Sequence, residues 1–119
     1  CTSKREILGV TITPGLQTAI RALFQKTAQL PEVPLRLPAS VMGKNTTHAI
    51  QSGVLEGYIG LVRHMIDRIR NEVGTHFIVV GTGGLSAILH PLEYDFDYIN
   101  PYLTLDGLRV IDAYLLEKT

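Results

Sequence analysis

The chain has 119 residues, 45% of them apolar, and eleven basic residues set against eleven acidic ones. That length allows one domain, and zero net charge argues against the basic field of a nucleic-acid-binding protein or of a domain drawn to an anionic membrane. No run of about 18 apolar residues exists to cross a bilayer, and the lone Cys1 cannot form an internal disulfide, which suits a reducing, cytoplasmic compartment. No charged and then apolar leader opens the chain, so secretion is not signalled. The first residue is not methionine and an apolar pattern starts within a few positions, which points to a piece of a longer protein.

Ile7 to Ile12 is a short β-branched and apolar run that predicts a strand. Thr13-Pro14-Gly15 reads as an N-cap followed by proline at the first helical position. The helix behind it carries Leu16, Ile20, Leu23, Phe24 and Thr27 on one face and is expected to end near Leu30-Pro31. Pro31, Pro34 and Pro38 keep the next segment extended, with Leu35-Arg36-Leu37 as a possible edge strand. Asn45 or Thr46 caps a long helix reaching about Glu72, with Gly74 as its terminator. Phe77-Ile78-Val79-Val80 has the continuous apolar character of a strand buried on both faces. It runs into Gly81-Thr82-Gly83-Gly84 and a short helix from about Leu85 to Leu89. Tyr94 to Asn100 reads as irregular or a short strand. Thr104 caps a last helix, with Asp106 in its first turn and Leu105, Leu108, Ile111 and Leu115 as its buried stripe. The pattern is α/β, with too few strands for its helices, so part of the sheet is expected to lie outside this chain.

The long helix breaks a helix-building rule in an organised way. Each interior glycine costs about 1 kcal/mol against alanine, yet Gly53, Gly57 and Gly60 share one stripe. On a wheel drawn at about 100° per residue, Gly57, Gly60, Ala49 and Thr46 all fall within about 40° of Gly53. The Thr46 hydroxyl heads this track. Val54, Tyr58, Leu61, Met65 and Ile69 occupy a second arc, and Glu56, Arg63, Asp67 and Arg70 a third. One reading is that the glycines admit a neighbouring helix at close range, plausibly across a dimer two-fold. The other is that the first turn, with free N–H groups and a positive dipole end, meets a polar ligand. The two are compatible.

The turn Gly81-Thr82-Gly83-Gly84 is the second candidate site, because glycines let a ligand approach the backbone ahead of a helix N-terminus. A tight strand-to-helix turn would need the same residues. As a dinucleotide fingerprint it is defective: Ser86 holds the third glycine position, and no acidic residue follows about 20 positions on in a second strand. Met42 to Thr46 looks like a Walker A loop but lacks its first glycine, where Pro38 stands, and has Asn45 after Lys44. His48, His64, His76 and His90 have no metal-ligand spacing. Asp95 and Asp97 alternate beside Tyr94, Phe96 and Tyr98 like a polar strand face. No arrangement of nucleophile and base can be argued from spacing.

Three ordered segments carry a family resemblance. They are Ile12-Thr13-Pro14-Gly15-Leu16 with Thr27-Ala28-Gln29-Leu30-Pro31; Gly43-Lys44-Asn45-Thr46 with Ala49-Ile50-Gln51-Ser52-Gly53 and Gly57-Tyr58; and Val80-Gly81-Thr82-Gly83-Gly84-Leu85. In this combination, with Leu103 to Leu108 matching a closing helix, the chain resembles the type III pantothenate kinases over essentially its whole length. It resembles only their C-terminal half. The N-terminal phosphate loop, the Asp-Arg pair carrying the catalytic base, and the second phosphate loop have no counterpart, and Gly9-Val10 stands where paired glycines are usual.

The resemblance implies an actin-like, sugar-kinase-like ATPase built from two ribonuclease-H-like halves, of which this chain is the C-terminal half domain with an incomplete sheet. It implies transfer of the ATP γ-phosphate to the 4′-hydroxyl of pantothenate, opening coenzyme A synthesis. It also implies a divalent cation such as magnesium, a monovalent cation (potassium or ammonium), and a homodimer. By the same match Thr46 contacts pantothenate, and Gly81, Gly83 and Gly84 form the adenosine side of the cleft. No catalytic or metal-binding residue is assigned to this chain, which is expected to be inactive without its N-terminal half. The alternatives are a non-catalytic accessory relative of the same family and, less favoured by the motifs, a small dinucleotide-binding module.

Overall fold

Helix α2 (Thr46–Val73) runs for 28 residues, about 42 Å at 1.5 Å per residue, and everything that positions the candidate site is attached to it. Its ends follow the capping chemistry of the sequence. Asn45 adopts an extended backbone and its side chain accepts the His48 N–H at 2.9 Å. Gly74, in the left-handed region at φ 68°, closes the other end with its N–H donated to the Arg70 carbonyl at 3.0 Å. The computed structural model describes residues 1–26, 33–74, 76–84 and 89–117. They fall into two units, Cys1–Glu32 and Val33–Thr119.

The second unit is built on the face of α2 opposite the glycine track. Gln51, Ser52, Leu55 and Ile59 are its buried residues, and at about 100° per residue they lie roughly 160–260° from Gly53. Leu55 and Ile59 belong to the core with Val33, Leu89 and Leu92, each leucine contributing about 1.5–3 kcal/mol by leaving water. The apolar arc of the sequence forms the flank of this face: Val54, Tyr58 and Met65 are half-buried, and Leu61 and Ile69 are exposed. Leu55 and Ile59 share the buried face with two polar residues, Gln51 and Ser52. Each is satisfied by backbone. The Gln51 amide donates to the Pro34 carbonyl at 2.8 Å, and the Ser52 hydroxyl donates to the Val41 carbonyl.

These bonds hold the segment from Val33 to Asn45 along the helix. Leu35-Arg36-Leu37 is extended but forms no strand ladder. Pro34 and Pro38 have no N–H to offer a ladder, and the Pro34 carbonyl already accepts from Gln51 and from the Arg36 N–H. At Gly43 the segment presses on the first turn of α2. A Cβ there would lie 2.5 Å from the Ala49 Cα and 2.8 Å from the His48 carbonyl carbon, closer than side-chain carbons approach backbone.

Strands β1 (Val80–Gly81) and β2 (Tyr98–Ile99) pair in parallel, Val80 with Tyr98 and Gly81 with Ile99. The run before Gly81 is not buried on both faces as expected. Phe77 and Val79 are half-buried while Ile78 and Val80 are exposed, because the described sheet has two strands and one covered face. Phe77 lies under the Arg70 guanidinium, 5.9 Å from ring centre to Cζ. The helix expected at Leu85 to Leu89 falls outside the described residues except at Leu89, where a turn leads into a 3-10 helix, His90–Asp95. The 3-10 helix packs on α2.

Helix α3 (Leu103–Leu116) begins one residue before Thr104, which is not its cap. Asn100 organises the start instead. Its Oδ1 accepts the Tyr102 N–H at 2.9 Å and its Nδ2 donates to Asp106 at 3.1 Å, an Asx turn carried across Pro101. None of the α3 residues is buried. The expected buried stripe of Leu105, Leu108, Ile111 and Leu115 is more than half exposed at every position. Its periodicity specifies a face for burial, but no surface that would cover it is among the described residues.

In the first unit, helix α1 spans Leu16–Lys26. Its first turn is closed by the Ala19 N–H on the Gly15 carbonyl at 2.9 Å, so the helix starts after Thr13 and Pro14 rather than on them. Leu16 is fully buried, Ile20 and Phe24 half so, and Leu23 is exposed. Thr27 and the expected end at Leu30-Pro31 lie outside the described residues. Ile7 to Ile12 is not a strand. Its composition suits one, but a strand needs a paired edge, and none is present among the described residues. Ile7, Leu8, Val10 and Ile12 are exposed in consequence.

The two kinds of glycine on and beside α2 should respond oppositely to a methyl group. Gly43→Ala is expected to destabilise the 119-residue chain by about 1–3 kcal/mol through overlap with backbone. Gly57→Ala meets nothing within 4 Å and should stabilise it by up to about 1 kcal/mol. Urea denaturation decides the matter; coincident midpoints for the two variants would contradict this packing.

Candidate functional site

The first turn of α2 is open to solvent, and Thr46 stands exposed at its start. Among the described residues, the N–H groups of Thr46 and Thr47 have no hydrogen-bond partner, while those of His48 and Ala49 are taken by the Asn45 side chain and carbonyl. Two donors and the positive end of a long helix dipole therefore face outward beside the Thr46 hydroxyl. The turn is rigid for its position. With Oδ1 used as acceptor, the Asn45 amide nitrogen donates to His48 Nδ1 at 3.3 Å, which leaves the neutral imidazole's proton on Nε2. Gly43 packs beneath.

Beside this turn lies an open hollow of about 340 Å³. Pro38, Ala39, Met42, Lys44, Asn45 and His48 line it, and the surface they present to it is almost wholly apolar. Such a hollow can hold a short apolar body, while the N–H groups and the Thr46 hydroxyl of the neighbouring first turn can meet a polar end.

The glycine turn stands at the end of β1, a separate place in the same unit. Gly81 is buried and its carbonyl accepts the Asn100 N–H at 2.9 Å. The Phe96 ring lies so close that a Cβ on Gly81 would be 2.6 Å from Phe96 Cδ2, so the glycine is required by packing as well as by any ligand. Gly83 has φ 98°, and Gly83 and Gly84 are exposed, with nothing within 4 Å of a Cβ built on either. That leaves the outer half of the turn accessible. Thr46 stands at the start of α2 and the glycine turn at the end of β1.

Other sequence candidates acquire structural roles. Asp95 is paired with Arg63, and the Asp97 carboxylate accepts the Val79 N–H at 2.7 Å. Among the described residues no group of three or more His, Cys, Asp or Glu side chains converges as a metal site, and no helix is long and apolar enough to cross a membrane. The residues that sequence reasoning passed over are Gly43, Gln51, Ser52 and Arg63, all of them positioning groups. A signal existed for two of these: Gln51 and Ser52 lie in a helix where polar residues would normally face water, on the side away from the glycine track.

Comparison with known proteins identifies the family. The family model described as type III pantothenate kinase matches residues 1–68. A type III pantothenate kinase of Treponema pallidum (strain Nichols) is 51% identical over 105 residues, covering 88% of this chain and 38% of that protein. Those of Dehalococcoides mccartyi (strain ATCC BAA-2266 / KCTC 15142 / 195) and Roseiflexus sp. (strain RS-1) are each 44% identical, covering 87% and 92% of this chain and 40% and 43% of their own lengths. The chain thus spans about two fifths of the curated relatives it matches. The matched region contains the Gly43–Thr46 loop and the first turns of α2, and on this evidence the chain belongs to the type III pantothenate kinase family.

Proposed function

We propose that this chain is the C-terminal part of an enzyme that transfers the γ-phosphate of ATP to the 4′-hydroxyl of pantothenate, and that it supplies binding surfaces rather than the catalytic base. Family membership carries the reading, and with it an actin-like ATPase fold, with which the mixed helices and small parallel sheet are compatible. The observation that fits pantothenate to this chain is the open first turn of α2. Pantothenate has a carboxylate, an amide, hydroxyls and a compact dimethyl centre. The hollow next to the first turn offers apolar walls for the last, and the first turn itself offers the Thr46 hydroxyl and two N–H groups for the others. Thr46 is the substrate-binding residue in this reading, and Gly81, Gly83 and Gly84 receive the adenosine side of ATP.

Phosphoryl transfer depends on positioning and on neutralising charge. A magnesium ion accompanying ATP and a potassium or ammonium ion belong to the same reading, and they would supply charge neutralisation at the phosphates. The remaining part of the polypeptide would supply the phosphate loops and the base. It would also cover surfaces that water now meets, since the run Ile7–Ile12 and the apolar side of α3 have the composition of buried elements. The glycine track of α2, equally bare, is the surface proposed for a second copy in a homodimer. A cytoplasmic enzyme accords with the single free cysteine.

The complete polypeptide should phosphorylate pantothenate with ATP, and this 119-residue chain alone should not. Transfer by the chain alone, in a coupled assay, would overturn the division of labour. In the complete protein Thr46→Ala should raise the pantothenate KM about three- to tenfold, the worth of one hydrogen bond, with the ATP KM little changed; unaltered pantothenate kinetics would remove Thr46 from the site. Gly57→Leu should shift the complete protein from dimer toward monomer in sedimentation velocity, and a persistent dimer of unchanged stability would refute the proposed interface.

A further inference from the structure

Arg63 joins the two candidate surfaces. It sits on α2, 17 positions beyond Thr46, or about 26 Å along the axis. Its Nε donates to Asp95 Oδ2 at 2.7 Å and a terminal nitrogen donates to the Pro91 carbonyl at 3.0 Å. The two bonds grip both ends of the 3-10 helix. The next residue after Asp95 is Phe96, whose ring lies over Gly81. Asp97 follows and is locked to Val79 in both directions, carboxylate to N–H at 2.7 Å and N–H to carbonyl at 2.9 Å. A continuous line of contacts therefore runs from α2 through one guanidinium and one aromatic ring to the backbone of the glycine turn.

We infer that Arg63 is a positioning residue: it fixes the glycine turn relative to the helix whose first turn carries Thr46, and so sets the alignment of nucleotide with acceptor. The inference rests on the assignment of Gly81–Gly84 to the nucleotide. Two features favour alignment over stability as its role. The pair is half-exposed, with 47% of the Arg63 and 27% of the Asp95 side chain accessible, and such a pair adds little to global stability. Its geometry is divergent, one donor to a carboxylate and another to a carbonyl, which the planar guanidinium makes at once and an ammonium does not reproduce. Small misalignments of reacting groups carry large kinetic costs, so a modest clamp can matter to the reaction while contributing little to folding.

The test uses the complete polypeptide with Arg63→Met, Arg63→Lys, Asp95→Asn and the Arg63→Met/Asp95→Asn double variant. A fluorescent ATP analogue gives the nucleotide Kd, steady-state kinetics give both KM values, and thermal melts monitor folding. We expect Arg63→Met and Arg63→Lys to weaken the analogue and raise the ATP KM about fivefold, with the pantothenate KM within about twofold and Tm within a few degrees. The double variant should be no worse than Arg63→Met, because both changes remove one contact. An unchanged nucleotide Kd in Arg63→Met, or equal rises in both KM values together with a large fall in Tm, would overturn the inference. If the wild-type protein binds the analogue but transfers no phosphate to pantothenate, the proposed activity fails while the Kd comparison still decides the role of Arg63. If it binds no nucleotide, both fall.

Discussion

Two buried side chains on α2, the Gln51 amide and the Ser52 hydroxyl, hold the second unit in register. Each faces inward where a helix of this composition would ordinarily present leucine, and each donates to a carbonyl of the segment that precedes the helix. A buried donor left without an acceptor costs about 1–3 kcal/mol, so the two bonds specify where that segment lies, and not merely that it packs. From this placement follow the seating of Gly43 on the Ala49 backbone, the presentation of Asn45 as cap, and the exposure of Thr46 at the helix mouth. The site is thus an outcome of polar specificity inside an apolar face.

Helix α2 acts as a rod with three distinct sides. One side binds the Val33–Asn45 segment and the 3-10 helix by Gln51, Ser52, Leu55, Ile59 and Arg63. The opposite side is the bare glycine track. Between them lies a half-buried apolar flank that includes Tyr58 and Met65. An isolated domain would rarely maintain three such faces, because the glycines weaken the helix and the flank exposes carbon to water. The chain spans about two fifths of its relatives, and none of the α3 residues is buried.

Local chemistry was readable from the residues. Asn45 and Gly74 bound α2 as their side chain and backbone freedom dictate, and the glycine turn follows a strand at Val80–Gly81 as the apolar run before it suggested. What could not be read was anything decided by partners distant in sequence. Ile7–Ile12 has strand composition without a ladder, and Phe77–Val80 looks doubly buried yet has one covered side. The α3 stripe has the right period, yet more than half of each of its side chains is exposed. In each case periodicity states what a segment is suited to, while burial depends on a second surface. The buried face of α2 was not legible for a different reason: hydrophobic pattern marks Val54, Tyr58 and Leu61 as an apolar arc, and only the carbonyls of Pro34 and Val41 explain why Gln51 and Ser52 go inside. Thr46 and the three glycines were named as candidates through family motifs; Arg63, which matches none of those motifs, needed coordinates.

The central claim is that the open first turn of α2 receives pantothenate. A crystal structure of the complete polypeptide with pantothenate bound tests it most directly. The account requires the Thr46 hydroxyl within about 3.2 Å of a pantothenate oxygen or nitrogen, with the acceptor in the hollow beside Lys44. Pantothenate lodged elsewhere, with Thr46 facing only solvent, would contradict it.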